Sequence, residues 1–223
     1  MTAVRCCVWE LTLACNFRCR HCGASAGVAR GDELTSKEAL GLADDLAGLP
    51  CEEVTLMGGE LFLRPDWLAI AERLRTRGAG LVLFTSGWLL NRERVARIKA
   101  LEPRMVGLSL DGAGPAIHDG QRGKKGSFER VWLALDRLRN AGLPASVITT
   151  LTRHNLYELP ALARLLLGRG VQWQVQTATC NGARMDTADQ LTPLEFYWVG
   201  AWLSLARRKY DWPLLPVAGA HDL

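Results

Sequence analysis

No apolar run in these 223 residues is long enough to cross a bilayer, which argues against a helical membrane span. The N-terminus lacks the pattern of a secretory signal, so the expected location is the cytoplasm, where thiols stay reduced. Low-complexity tracts and short internal repeats are absent. An excess of one charge is missing too. The chain has 27 basic and 23 acidic residues, a net charge of +4, too mild a field to argue for a nucleic-acid partner.

What is present is material for a core, and thiols. Hydrophobic residues make up 48% of the chain, enough for one large domain or two small ones. Eight tryptophans are scattered along it. Seven cysteines in a reducing compartment point to metal or redox chemistry rather than to bridges.

Three of those cysteines fall within eight residues, Cys15-Asn16-Phe17-Arg18-Cys19-Arg20-His21-Cys22, spaced C-x₃-C-x₂-C. Val8–Leu13 before them reads as a strand, so the thiols lie on a loop at its C-terminal end. Iron–sulfur clusters are held by thiolates, and three thiolates on a four-iron cubane leave one iron open. A structural zinc site is the competing reading, with His21 or a distant cysteine as fourth ligand, but no second cysteine pair completes it.

Strands and helices alternate along the chain. Strands are expected at Val4–Leu13, Glu53–Met57, Leu81–Thr85, Met105–Leu110, Ala145–Thr150 and Val171–Gln176. Cys6 and Cys7 in the first strand read as packing residues, and Cys51 falls in a turn. Thr35-Ser36-Lys37-Glu38 is a capping box opening a helix to Leu46. Further helices are expected after Asp66 through Arg77, over Arg92–Ala100, from Ser127 to Asn140, and from Asn155 onward. The run from His118 to Gly126 reads as a polar loop. Thr192-Pro193-Leu194-Glu195 caps a last helix to Lys209, whose Trp198 and Trp202 form a packed face. Six β–α units in one register predict a parallel sheet in an open, partial (β/α)₆ barrel of the TIM type. Residues 1–190 are expected to form the core domain, and residues 191–223 a C-terminal helix and tail, the start of a truncated extension.

Functional residues of such sheets gather at C-terminal strand ends. Gly58-Gly59-Glu60 follows the second strand: two glycines let a ligand approach the backbone, and the carboxylate suits an ammonium group. Thr85-Ser86-Gly87 follows the third. Ser109 and Asp111 end the fourth on the same side. Thr149-Thr150 ends the fifth, and Cys180 follows the sixth.

The cysteine spacing followed by Gly58-Gly59-Glu60 resembles the signature of the radical S-adenosylmethionine (AdoMet) superfamily. His118-Asp119, Arg122-Gly123 and Gly126-Ser127-Phe128 resemble the HD-x-x-RG-x-x-GSF run of its members with SPASM-type domains. The likeness covers Val4 to Gln176 and lacks their cysteine-rich C-terminal extension. It implies that Cys15, Cys19 and Cys22 hold a [4Fe–4S] cluster whose open iron is chelated by AdoMet. It also implies AdoMet contacts from Gly58, Gly59, Glu60, Ser109, Asp111, Arg122 and Thr150, with Arg122 toward the carboxylate. The backbone of His21 is expected near the adenine. The implied reaction is reductive cleavage of AdoMet, giving a 5′-deoxyadenosyl radical that abstracts a hydrogen. The implied substrate is a peptide or protein, as in ribosomal peptide maturation, with a small molecule such as a tetrapyrrole in haem-type biosynthesis as the alternative. A reductase, flavodoxin or ferredoxin would supply the electron. A non-catalytic iron–sulfur or zinc module is the alternative from another class.

Overall fold

The computed structural model describes residues 6–180 and 184–210, and the backbone of 214–218. The chain packs as two compact units, one drawn from residues 1–17, 26–108 and 132–145, the other from 18–25, 109–131 and 146–223.

The first unit carries β1 (Cys6–Glu10), α1 (Ser36–Gly48), β2 (Glu53–Met57), α2 (Trp67–Thr76), β3 (Gly80–Thr85), α3 (Arg92–Ala100) and most of β4 (Met105–Ser109). These strands pair in parallel in chain order. Parallel neighbours need long crossovers, and the intervening helices supply them. Covering both faces of a sheet demands apolar residues on both. Accordingly Val54, Leu56, Leu81, Leu83, Val106 and Leu108 are fully buried, as are Ile70, Leu74 and Ile98 on the helices. The expected capping box opens α1: Glu38 N–H donates to Thr35 Oγ1 at 3.3 Å and Thr35 N–H to Glu38 Oε2 at 2.9 Å.

The second unit carries α4 (Pro115–Arg122), β5 (Ala145–Leu151), α6 (Leu159–Leu166), β6 (Gln172–Thr177), α7 (Pro193–Tyr210) and β7 (Leu214–Ala218). The chain returns to the first unit along α5 (Ser127–Asn140). β5, β6 and β7 pair in parallel in chain order. Every residue of β5 is buried. Trp173 is fully buried, and its Nε1–H donates to Thr149 Oγ1 at 2.9 Å, the partner a buried indole needs. Trp202 meets the Trp173 ring edge-on at 6.4 Å and Trp198 meets Tyr157 at 5.6 Å, so both pack as expected. The class is α/β with parallel strands.

Several elements differ from the sequence reading. The expected polar loop is largely the helix α4. Pro115 fits its first turn and Gly123 closes it in the left-handed conformation, φ 60°. Its buried residues, His118 and Gln121, are polar, so a hydrophobic periodicity does not reveal it. β1 is shorter than expected: past Glu10 the ladder thins, and Ala14 makes an isolated parallel bridge to Gly27. Val4 lies outside the described residues. Cys6 is exposed rather than packed. The helix expected from Asn155 starts at Leu159, after a 3₁₀ turn at Leu156–Glu158. β7 adds a seventh strand; Pro216 within it counts against a strand in sequence. Among the described residues no helix is long and apolar enough to cross a membrane.

Candidate cofactor site

In the first unit, the end of β1 is fixed before it reaches Cys15. Glu33 Oε1 accepts from Thr12 Oγ1–H at 2.9 Å, Leu13 N–H at 2.8 Å and Arg30 N–H at 3.1 Å. Buried Arg64 donates to Leu11 O at 2.9 Å and Leu34 O at 2.8 Å. Cys15 N–H donates to Gly27 O at 3.1 Å.

Gly58-Gly59-Glu60 lies directly on this strand end. Gly59 N–H donates to Thr12 O and Glu60 N–H to Ala14 O, both at 2.8 Å. A Cβ on Gly59 would stand 2.6 Å from Ala14 O, 2.8 Å from Leu13 O and 2.9 Å from Cys15 Cβ. One on Gly58 would stand 2.5 Å from Thr12 O. The glycines therefore let two backbones meet; the room expected for a ligand is filled by residues 12–15.

Glu60 is 1% exposed. Its carboxylate accepts from Thr85 Oγ1–H at 2.7 and 2.9 Å, Ser86 Oγ–H at 2.5 Å and Ser86 N–H at 3.1 Å. All these donors are neutral. Ser86 belongs to the Thr85-Ser86-Gly87 run noted in the sequence, which gave it no contact of its own. Its signal was its position at the end of β3, level with Glu60 after β2. Phe17 is buried against Trp88 with ring centroids 6.0 Å apart.

In the second unit the cysteine loop meets α4. Gln121 O accepts from Arg20 N–H at 2.9 Å. Arg122 Nη1 donates to Cys19 Sγ at 3.6 Å. A Cβ on Gly123 would stand 2.5 Å from Arg18 O. From the chain after β6, Arg184 N–H donates to Cys22 O at 3.3 Å and its Nη1 to Cys19 O at 3.2 Å.

Asp111 is fully buried at the centre of this unit's polar cluster. Its Oδ2 lies 2.7 Å from Arg122 Nε, an ion pair whose N–H is turned off the line of contact, and 3.5 Å from His21 Nε2. Its Oδ1 accepts from Thr150 N–H at 2.8 Å. Burial opposes its charge, but the Arg122 guanidinium and the Thr150 amide hold the carboxyl below the usual carboxylate range. His118 Nδ1 accepts from Asp111 N–H at 3.0 Å, and burial pulls its pKa down to about 4. Burial also lowers the pKa of His21. Both imidazoles are therefore neutral near pH 7, beside one ionised carboxylate and one guanidinium.

The remaining residues of the run have local roles. Asp119 accepts from Gly126 N–H, Ser127 Oγ–H and Phe128 N–H, and so anchors the start of α5. Ser109 is half-buried at the last position of β4. Thr149 is buried and donates to Leu110 O at 2.7 Å, while Thr150 Oγ1 accepts from Gln176 Nε2–H at 3.0 Å. Cys180 Sγ donates to Gln190 Oε1 at 3.0 Å.

In each unit the candidate residues lie at or just beyond C-terminal strand ends, the place where α/β proteins with parallel sheets gather functional groups. Residues 9–166 match the Radical SAM superfamily, and the chain belongs to it. It is 35% identical over 202 residues to the AdoMet-dependent heme synthase of Methanosarcina barkeri, covering 90% of this chain and 58% of that one. It is 31% identical over 208 residues to the mycofactocin maturase MftC of Mycolicibacterium smegmatis, covering 93% and 51%. The chain thus spans a little over half the length of these relatives. Among solved structures, Streptococcus suis SuiB bound to S-adenosylmethionine superposes with a TM-score of 0.82 at 11% identity, covering 97% of this chain and 50% of that one. That likeness shows the fold, a partial barrel of parallel strands with helices.

The superfamily uses a [4Fe–4S] cluster and AdoMet. The residues present fit both. Cys19 Sγ already accepts an N–H, which suits a thiolate ligand. Buried Glu60 accepts from the neutral donors of Thr85 and Ser86, and a carboxylate so placed suits an ammonium group. Among the described residues no three His, Cys, Asp or Glu gather closely enough to hold a single metal ion.

Proposed function

We propose that this chain is the catalytic core of a radical AdoMet enzyme that reductively cleaves AdoMet and abstracts a hydrogen from a peptide or protein. Cys15, Cys19 and Cys22 ligate one [4Fe–4S] cluster. Glu60 receives the AdoMet ammonium, Arg122 its carboxylate and Ser109 its ribose. Gly58 and Gly59 set the Glu60 turn, Asp111 holds Arg122, and Thr150 braces Asp111. The bound cluster and AdoMet supply the radical chemistry; the protein orients them and excludes water. Residues 1–190 form the core domain, and residues 191–223 a C-terminal helix and tail. The protein works in the cytoplasm with a reductase, flavodoxin or ferredoxin as electron donor.

The observation that carries this reading is the Gly58–Glu60 turn. It hydrogen-bonds to the residue just before Cys15 and ends in a buried carboxylate held by the hydroxyls of Thr85 and Ser86. The peptide class rests on the relative named mycofactocin maturase. The relative named heme synthase supports a second reading, a tetrapyrrole substrate. Anaerobically reconstituted protein given dithionite and AdoMet should form 5′-deoxyadenosine. Faster formation with a precursor peptide encoded nearby, and not with an iron porphyrin, selects the peptide reading. The reverse selects the tetrapyrrole, and no 5′-deoxyadenosine from a full cluster overturns both.

A further inference from the structure

We infer that Arg122, held against Asp111, donates a hydrogen bond to the Cys19 thiolate and so raises the reduction potential of the cluster. The inference rests on Cys19 being a cluster ligand, as proposed above, and adds a role for Arg122 that does not involve AdoMet.

Three consecutive residues of one helix end engage one loop. Gln121 O takes the Arg20 amide, Arg122 Nη1 reaches Cys19 Sγ at 3.6 Å, and Gly123 presses on Arg18 O. Gln121 Nε2 also donates to Thr152 Oγ1, which ties the same turn to the end of β5. The guanidinium has little freedom to leave. Asp111 Oδ2 is 2.7 Å from its Nε, and Asp111 is itself fixed by the Thr150 amide. The Arg122 side chain is 11% exposed and Cys19 9%, so water screens the contact little.

The physical effect has a sign. A reduced cluster carries one more negative charge than an oxidised one. A cationic N–H on a ligand sulfur draws electron density from it and stabilises the reduced form more. The guanidinium fork suits the task, since its five N–H groups can serve a carboxylate and a sulfur at once, which an ammonium at one point does not.

The test is an EPR-monitored redox titration of the reconstituted wild type, Arg122→Met and Arg122→Lys, without AdoMet, so that a carboxylate contact plays no part. Arg122→Met leaves Asp111 buried beside no cation and is the variant at risk of misfolding. Arg122→Lys keeps the ion pair and loses the second reach. Each variant should still bind about four irons. The midpoint should fall in both, furthest in Arg122→Met. There the reduced-to-oxidised ratio at fixed potential should drop about tenfold, a 59 mV shift for a one-electron couple. An intact cluster with the wild-type midpoint in whichever variant assembles overturns the inference. So does failure of both variants to bind iron, which would make Arg122 only a brace of the loop. A wild type without iron and sulfide would instead overturn the cluster reading itself.

Discussion

Asp111 Oδ2 lies 2.7 Å from Arg122 Nε, and the carboxylate has no exposed surface. A carboxylate expected to contact AdoMet is thus engaged by the chain's own cation and amide. Breaking a buried pair from one side costs about 3–5 kcal/mol, because the other charge stays behind. Asp111→Ala should therefore lower unfolding stability by about that amount in urea. Ser109→Ala should leave stability within about 0.5 kcal/mol and weaken AdoMet binding. A stable Asp111→Ala would show that the pair contributes little.

Glu60→Ala should have two effects. Thr85 and Ser86 lose their buried acceptor, a loss of about 1–3 kcal/mol in stability. AdoMet affinity should drop by about 1.5–3 kcal/mol, typical of a hydrogen bond to a charged group. Calorimetry on reconstituted protein separates the two. Unchanged affinity would remove Glu60 from the AdoMet site.

Two glycines should respond in opposite directions to alanine. At Gly59 the new methyl meets backbone at 2.6 and 2.8 Å, which should cost about 1–3 kcal/mol and impair cluster assembly. Gly41 lies in α1 with open space around it, and Gly41→Ala should add about 0.5–1 kcal/mol. Thermal unfolding of the pair reads both signs; a tolerant Gly59 would mean that β1 and the turn move apart easily.

Stability should fall with acid through His118. Its folded-state pKa of about 4 lies below the ordinary histidine value of 6.5. Above about pH 6.5 both states hold a neutral ring, and its contribution is complete. As pH falls from 6.5 toward 4 the unfolded chain takes the proton first, and stability drops by up to about 1.4 kcal/mol per pH unit. His118→Asn, which keeps an acceptor for the Asp111 amide, should flatten that part of the profile. Parallel slopes in wild type and variant would assign the acid sensitivity elsewhere.

Alanine at Cys15, Cys19 or Cys22 should abolish the visible absorbance of the reconstituted protein, while Cys51→Ala should not. Cys51 Sγ donates to Glu53 O at 3.0 Å, away from any strand's C-terminal end. Wild-type protein should contain about four irons and four sulfides. A value near eight would bring Cys180 into a second cluster.

The alternating pattern of strands and helices was legible because each strand is a short apolar run bounded by capping or turn residues, as at Thr35 and Thr192. The cysteine loop stood out by its spacing and the Gly58–Glu60 turn by its resemblance to the superfamily's signature, and both lie beyond strand ends as the sequence implies. α4 was not, since its buried face is His118 and Gln121 rather than an apolar stripe. The pairing of Asp111 with Arg122 was hidden for another reason. Alternation along a strand gives a side chain's direction but not which neighbour fills the space it enters. Ser86 shows the same limit: its hydroxyl serves Glu60, a relation that only the fold reveals.

The bond from Arg20 N–H to Gln121 O and the grip of Arg184 on Cys19 O and Cys22 O shape the Arg18–Ser25 segment with protein atoms alone. Ordering a residue's backbone costs about 1–2 kcal/mol, and these bonds offset part of that cost within the folded segment. The loop is thus cast by the chain's own atoms, and the Arg20 amide should be protected from deuterium exchange.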